Sequence, residues 1–143
     1  MSDSDMIQLY SGRILALAAD VPLTGRLAAP TGSATRRAPL CGSTVTVDVV
    51  VRDGRIADFR QDVRACALGQ AAASVVGEVV LGRSGAEIRR ARDELRAMLE
   101  GGPAPAAPFD GLGVLAVARD YRNRHASILL ALVVMVEAMA GVE

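Results

Sequence analysis

The sequence contains no lysine and no tryptophan, only two cysteines, and a single histidine. With lysine absent, all sixteen basic side chains are arginine, and they balance sixteen Asp and Glu for a formal net charge of zero at pH 7. Binding a phosphate backbone draws on net or strongly clustered positive charge, so this balance argues against a nucleic-acid partner. An aromatic share of 3% leaves the core to Val, Leu, Ile and Ala. Long apolar runs are also missing. The most apolar stretch is the nine residues from Ile128 to Val136, closed by Glu137, well short of the ~20 needed to span a bilayer. It predicts a core helix and no membrane span. The opening Met1-Ser-Asp-Ser-Asp5 is acidic and lacks the basic and apolar regions of a signal peptide, so a cytoplasmic location is expected. Two cysteines do not make a disulfide framework. In a reducing compartment they are expected as ligands, reactive thiols or small core residues.

What is present suits one globular domain over residues 1–143, with 51% hydrophobic and 22% charged residues. Ile7, Tyr10, Ile14, Leu17 and Ala18 share one face at helical spacing, predicting an amphipathic helix from Asp5 to about Asp20. Val21 to Arg37 is rich in Pro, Gly, Ser and Thr and reads as irregular, or at most a short edge strand. Val45, Val47, Val49 and Val51 recur with the period of a half-buried strand. Asp53-Gly54 then supplies a hairpin turn into a second strand, Ile56 to Val63. After Cys66 the texture turns helical, with Leu68, Ala72, Val75, Val76 and Val79 on one face and Gly82 expected as the C-terminal cap. Ser84-Gly-Ala-Glu87 is a capping box opening a helix that buries Ile88, Ala91, Leu95, Met98 and Leu99 and ends at Gly101-Gly102-Pro103. A loop from Ala104 to Pro108, a short helix from Phe109 to about Asp120, and a strongly apolar helix from His125 to about Ala140 complete the chain. The fold class is α+β, with helices packed on one face of a small antiparallel sheet of about three strands.

Three residues stand out for chemistry. Cys41 lies between Leu40 and Gly42, just before a strand, where a glycine lets the backbone turn sharply and expose a thiol. Cys66 lies at a strand-to-helix junction, where unpaired amides and the helix dipole favour thiolate, the form that binds metal. His125, the sole histidine, opens the last helix behind Arg119, Arg122 and Arg124. Each also has a plain reading, since free cysteines are commonly small buried hydrophobes and a histidine can be a cap or a surface residue. The separation of Cys41 and Cys66, 25 positions (66 minus 41), matches no local zinc-finger or ferredoxin spacing. Arg89, Arg90, Arg92 and Arg96 alternate with Asp93, Glu94 and Glu100 as a solvated helix face does. A Cys-His hydrolytic pair lacks an accompanying nucleophile elbow or oxyanion motif.

Taken together, Ala38-Pro-Leu-Cys41-Gly42, a strand, Asp53-Gly54, a second strand and Cys66-Ala-Leu-Gly-Gln-Ala-Ala-Ala-Ser74 resemble the NifU/IscU/SufU-type iron-sulfur cluster scaffolds. The resemblance runs from about Ile7 to Met139. It implies a SufE/NifU-like fold and a scaffold that binds iron and sulfide transiently and passes the cluster to recipient apo-proteins, with a cysteine desulfurase as sulfur donor. Cys41 and Cys66 match the first two ligands. The third cysteine of the family falls within Arg122-Asn-Arg-His125-Ala126-Ser-Ile128, where one alignment replaces it by His125 and the other by Ala126. The aspartate two positions after the first cysteine is replaced by Ser43. Imidazole is a competent iron and zinc ligand, so Cys41, Cys66 and His125 form a workable donor set for a cluster or for zinc. Two alternatives accompany the scaffold reading: a zinc-bound sulfur acceptor for the desulfurase, and a diverged member that binds partners without assembling clusters.

Overall fold

The computed structural model describes residues 11–40 and 42–143. The part of the expected first helix before Ser11, and Cys41, lie outside the described residues. Within them the first helix, α1, runs Gly12–Ala19, started by the Ser11 hydroxyl accepting from the amide of Ile14 at 3.3 Å. Three antiparallel strands follow in the order β1 (Gly32–Arg37), β2 (Thr44–Arg52) and β3 (Arg55–Arg64). Residues 21–31 form a strap, and β1 is the edge strand that the composition of this region allowed.

Val45, Val47 and Val49 are buried on one face of β2, as their alternation requires. Asp53 and Gly54 both take positive φ, 54° and 75°, between the paired Arg52 and Arg55, which is the two-residue hairpin that matches strand twist. The register of β3 slips between Val50 and Val51: Val50 faces Asp58 but Val51 faces Ile56, leaving Ala57 as a bulge. Ile56 and Phe59 therefore both reach the core although they are an odd number of residues apart.

The strap crosses the outer face of the sheet at Asp48. Asp48 has no exposed side-chain surface. Its carboxylate accepts from Arg26 Nε at 2.7 Å, Arg26 Nη2 at 3.1 Å, the Leu27 amide at 3.0 Å and the Ser33 hydroxyl at 2.6 Å. Further along, the Gln61 amide donates to Leu23 O and the Gly25 amide to Gln61 O, each at 2.9 Å, so the strap also pairs with the free side of β3.

Four further helical segments follow, of which the first and the last lie against the strands. The central one, α2 (Ala67–Val79), is buried almost all round rather than on one face, because α1 packs on one side and the last helix on another. Small residues make this possible. Its C-cap is Val80, not Gly82; Gly82 serves the following turn instead, at φ 86°, with its amide donating to Ile56 O at 2.8 Å. The turn is tied to β3, which stops the helix before that glycine.

Helix α3 (Gly85–Leu99) has the expected capping box between Ser84 and Glu87 and buries Ile88, Ala91, Leu95, Met98 and Leu99. The segment expected as a short helix is 3-10 over Asp110–Ala118, with Leu112, Leu115 and Ala118 buried at the three-residue repeat of that helix. The last helix, α4 (Arg122–Met139), begins three residues before His125 and packs on β1, β2, α2 and α3. A Cβ at Gly32 would stand 1.9 Å from the Ala138 carbonyl oxygen, so α4 crosses β1 only because that position has no side chain. Among the described residues no helix is long and apolar enough to cross a membrane.

Candidate functional site

β3 ends at Arg64, and two residues later Cys66 is the N-cap of α2, with φ −67° and ψ 169°. The first amides of a helix have no intrahelical partner and the dipole is positive there, so a sulfur in this place meets an anion-favouring field. Cys66 is half-buried and free. Burial pushes its thiol up, but the Ser127 hydroxyl, the amides of Gly69 and Leu68 and the charge of Arg124 outweigh that, and the net direction is down. Neither amide closes a standard capping bond. The firmer contact is Ser127, whose Oγ lies 3.5 Å from Cys66 Sγ. A lowered thiol pKa means more thiolate at neutral pH, hence a better metal ligand.

Ser127 reaches the sulfur because α2 and α4 approach closely. A Cβ on Gly69 would lie 2.6 Å from Ser127 Oγ, 2.9 Å from Ala65 Cβ and 3.2 Å from Ser127 O. On its other side Ser127 Oγ meets Ser43 Oγ at 2.9 Å, and both serines are buried. Ser43 closes a loop in which the Ala38 amide donates to Ser43 O at 2.8 Å and the Gly42 amide to Ala38 O at 2.9 Å, with Gly42 at φ 71°. Cys41 belongs to this stretch of sequence and lies outside the described residues. Its neighbours are held by those two bonds, and Leu40 beside it is 79% exposed.

His125 sits in the first turn of α4 and is turned elsewhere. Its Nε2 is 3.1 Å from Ala118 O and 2.9 Å from Arg119 O. Carbonyls only accept, so this nitrogen carries a proton, and the tautomer that can bind a metal is the one with its lone pair on Nδ1. Two residues apart on one helix, His125 and Ser127 lie about 160° apart around the axis. Nearby, Arg119 donates from Nε to Met98 O at 2.8 Å and from Nη2 to Gly102 O, capping the end of α3. Ala126 is exposed and lines a groove of about 220 Å³ with Arg36, Arg37, Ala38 and Pro39, the residues leading to Cys41. Among the described residues no three His, Cys, Asp or Glu side chains gather as a metal-holding group.

The structure thus brings Cys66 together with Ser127 and Ser43, and sets His125 against backbone carbonyls. Sequence reasoning passed over Ser127 and took Ser43 only as a missing aspartate. The available signal was Gly69, an isolated glycine inside an apolar helical pattern, which usually marks a close approach.

The NifU-like N terminal domain family matches residues 9–126. A search of curated proteins gave no match. Among solved structures, the N-terminal part of a nitrogen-fixing NifU-like protein from Brucella abortus superposes with a TM-score of 0.91 at 43% identity, over 94% of each chain. A hypothetical protein superposes at 0.82 with 22% identity, over 93% of this chain and 98% of the other. A protein described as an iron-sulfur cluster assembly scaffold for the SUF system, from Fervidobacterium islandicum AW-1, superposes at 0.80 with 20% identity over the same shares. The last two share the fold.

Proposed function

The chain belongs to the NifU-like N-terminal domain family, and from that premise we propose that it is an iron-sulfur cluster assembly scaffold that loads a labile cluster and hands it to recipient apo-proteins. The observation that carries the reading is the half-buried Cys66 thiol, held toward thiolate at the start of α2 beside the Ala38–Ser43 loop. The cluster is cargo here. Cys41 and Cys66 supply two thiolates and His125 a third donor through Nδ1, because Nε2 is engaged with Ala118 and Arg119. A carbonyl partner on the distal ring nitrogen is the usual way a ligating histidine is oriented. A cysteine desulfurase is the sulfur source.

A second reading of the third ligand has its own support. Exposed Ala126 lines a groove with Arg36, Arg37, Ala38 and Pro39, which precede Cys41 in the sequence, whereas the His125 ring is turned to the end of the 3-10 helix. On that reading Ala126 stands where the family's cysteine would be, and a partner completes the coordination sphere. Anaerobic reconstitution with ferrous iron, cysteine, a cysteine desulfurase and a thiol reductant tests both. Visible absorbance with matched iron and sulfide, lost in Cys66→Ser, supports the scaffold. A colourless product with one zinc supports a zinc-bound sulfur acceptor instead, and no metal at all a non-assembling binding member. Raised cluster yield in His125→Cys supports His125 as third ligand; a gain only in Ala126→Cys supports the second reading.

A further inference from the structure

Cys66 Sγ, Ser127 Oγ and Ser43 Oγ form an unbroken chain of contacts, 3.5 Å and then 2.9 Å, between the start of α2 and the loop before β2. Ser43 and Ser127 are 3% and 1% exposed, so water competes little for either hydroxyl. Each hydroxyl has one proton to give. A metal-bound thiolate has none and can only accept. When Cys66 holds metal, a hydrogen bond between Ser127 and the sulfur has Ser127 as its donor, and the hydrogen bond between the two serines then has Ser43 as its donor. In the metal-free thiol the chain is free to run the other way.

We propose that Ser127 is a positioning residue for the Cys66 sulfur, with Ser43 acting through it, so that metal binding orients both hydroxyls and couples the loop preceding β2 to the sulfur at the start of α2. This rests on the reading of Cys66 as a metal ligand. The departure at position 43 then has a physical sense. A buried serine that turns inward onto Ser127 supports a ligand from behind, rather than offering a carboxylate to the metal. Gly69 is part of the same arrangement, since any side chain there would displace Ser127 Oγ from 2.6 Å away.

Cobalt(II) is the probe, added anaerobically to the metal-free protein. Its sulfur-to-metal charge-transfer band reports the electron density on the bound thiolate, and zinc competition gives affinity. Loss of an outer-shell hydrogen bond of this kind typically weakens metal binding by about 10- to 100-fold. In Ser127→Ala we expect weakening in that range and a band shifted to lower energy, because an undonated thiolate is the stronger electron donor. Ser43→Ala should give a smaller change in the same direction. Both variants remove a buried hydroxyl with little change of volume, and thermal melting of the metal-free proteins checks that they fold; if one does not, the other carries the test. A merely structural role would lower the melting temperature and leave the band in place. An unchanged band and affinity in a folded variant, with binding lost in Cys66→Ser, overturns the positioning role and leaves the ligand reading intact. Binding that survives Cys66→Ser overturns the ligand reading, and the proposal with it.

Discussion

Replacing Asp48 by asparagine should destabilise the protein at neutral pH and do so much less in acid. Asp48 lies on the outward face of β2 with no exposed side-chain surface, and its carboxylate is gripped by Arg26, Ser33 and the Leu27 amide. The hydrogen bond from the Arg26 guanidinium leads in holding its pKa down, from 3.8 to about 2, against the opposing effect of burial. A depression of that size corresponds to roughly 2 to 3 kcal/mol. The Arg26 side chain is 59% exposed, and water screening reduces the figure to about 1 to 2 kcal/mol. Because the folded pKa lies below the unfolded one, this stability is complete above about pH 4 and is lost as the pH falls toward 2. Asparagine keeps the shape but presents an amide N–H2 where Arg26 or Ser33 donates. Urea unfolding at pH 7 should show Asp48→Asn less stable by about 1 to 2 kcal/mol, and the same comparison near pH 2.5 should show the gap shrinking. A gap that is equal at both pH values would refute the argument that the ionised carboxylate holds the strap.

Gly69→Ala should lower stability by about 1 to 2 kcal/mol, since overpacking costs ~1 to 3 while the better helix former returns ~0.5 to 1. Thermal melting checks it, and no drop would mean that α2 and α4 separate freely. At Gly32 the obstruction is a backbone carbonyl 1.9 Å away, so Gly32→Ala should cost about 2 to 3 kcal/mol, read by denaturant midpoint. Arg119→Ala strips the donors from Met98 O and Gly102 O and should cost about 1 to 2 kcal/mol in urea, with faster amide exchange at the end of α3.

How far the sequence could be read depended on where periodicity and local chemistry agreed. The hairpin was legible because Asp53-Gly54 satisfies two positive-φ positions between alternating apolar residues. The register of β3 was not, because the bulge at Ala57 changes parity and brings Ile56 and Phe59 to the same face. β1 has the sequence Gly-Ser-Ala-Thr-Arg-Arg, mostly exposed, and offers no apolar alternation to detect. Cys66 was legible as a strand-to-helix junction, since the pattern changes there from period two to helical. The surroundings of that sulfur were not: Ser127 is 61 positions away (127 minus 66), and its approach depends on the packing of two helices. For His125 the sequence offered a helix start, while its ring direction is decided by two carbonyls at the end of the preceding 3-10 helix.

The strap gives the sheet a lopsided perimeter. Leu23 and Gly25 occupy the free side of β3 with two backbone bonds, whereas among the described residues β1 has β2 on one side and no strand on the other. A bare strand edge is a template on which a second chain can polymerise. Here that edge is six residues long and ends in Arg36, which is ion-paired with Glu137, and Arg37, so two molecules meeting edge to edge in parallel bring their Arg37 guanidinium groups together. Resistance to aggregation on that flank is electrostatic and should weaken as salt rises. On the other flank it is geometric and should be indifferent to salt.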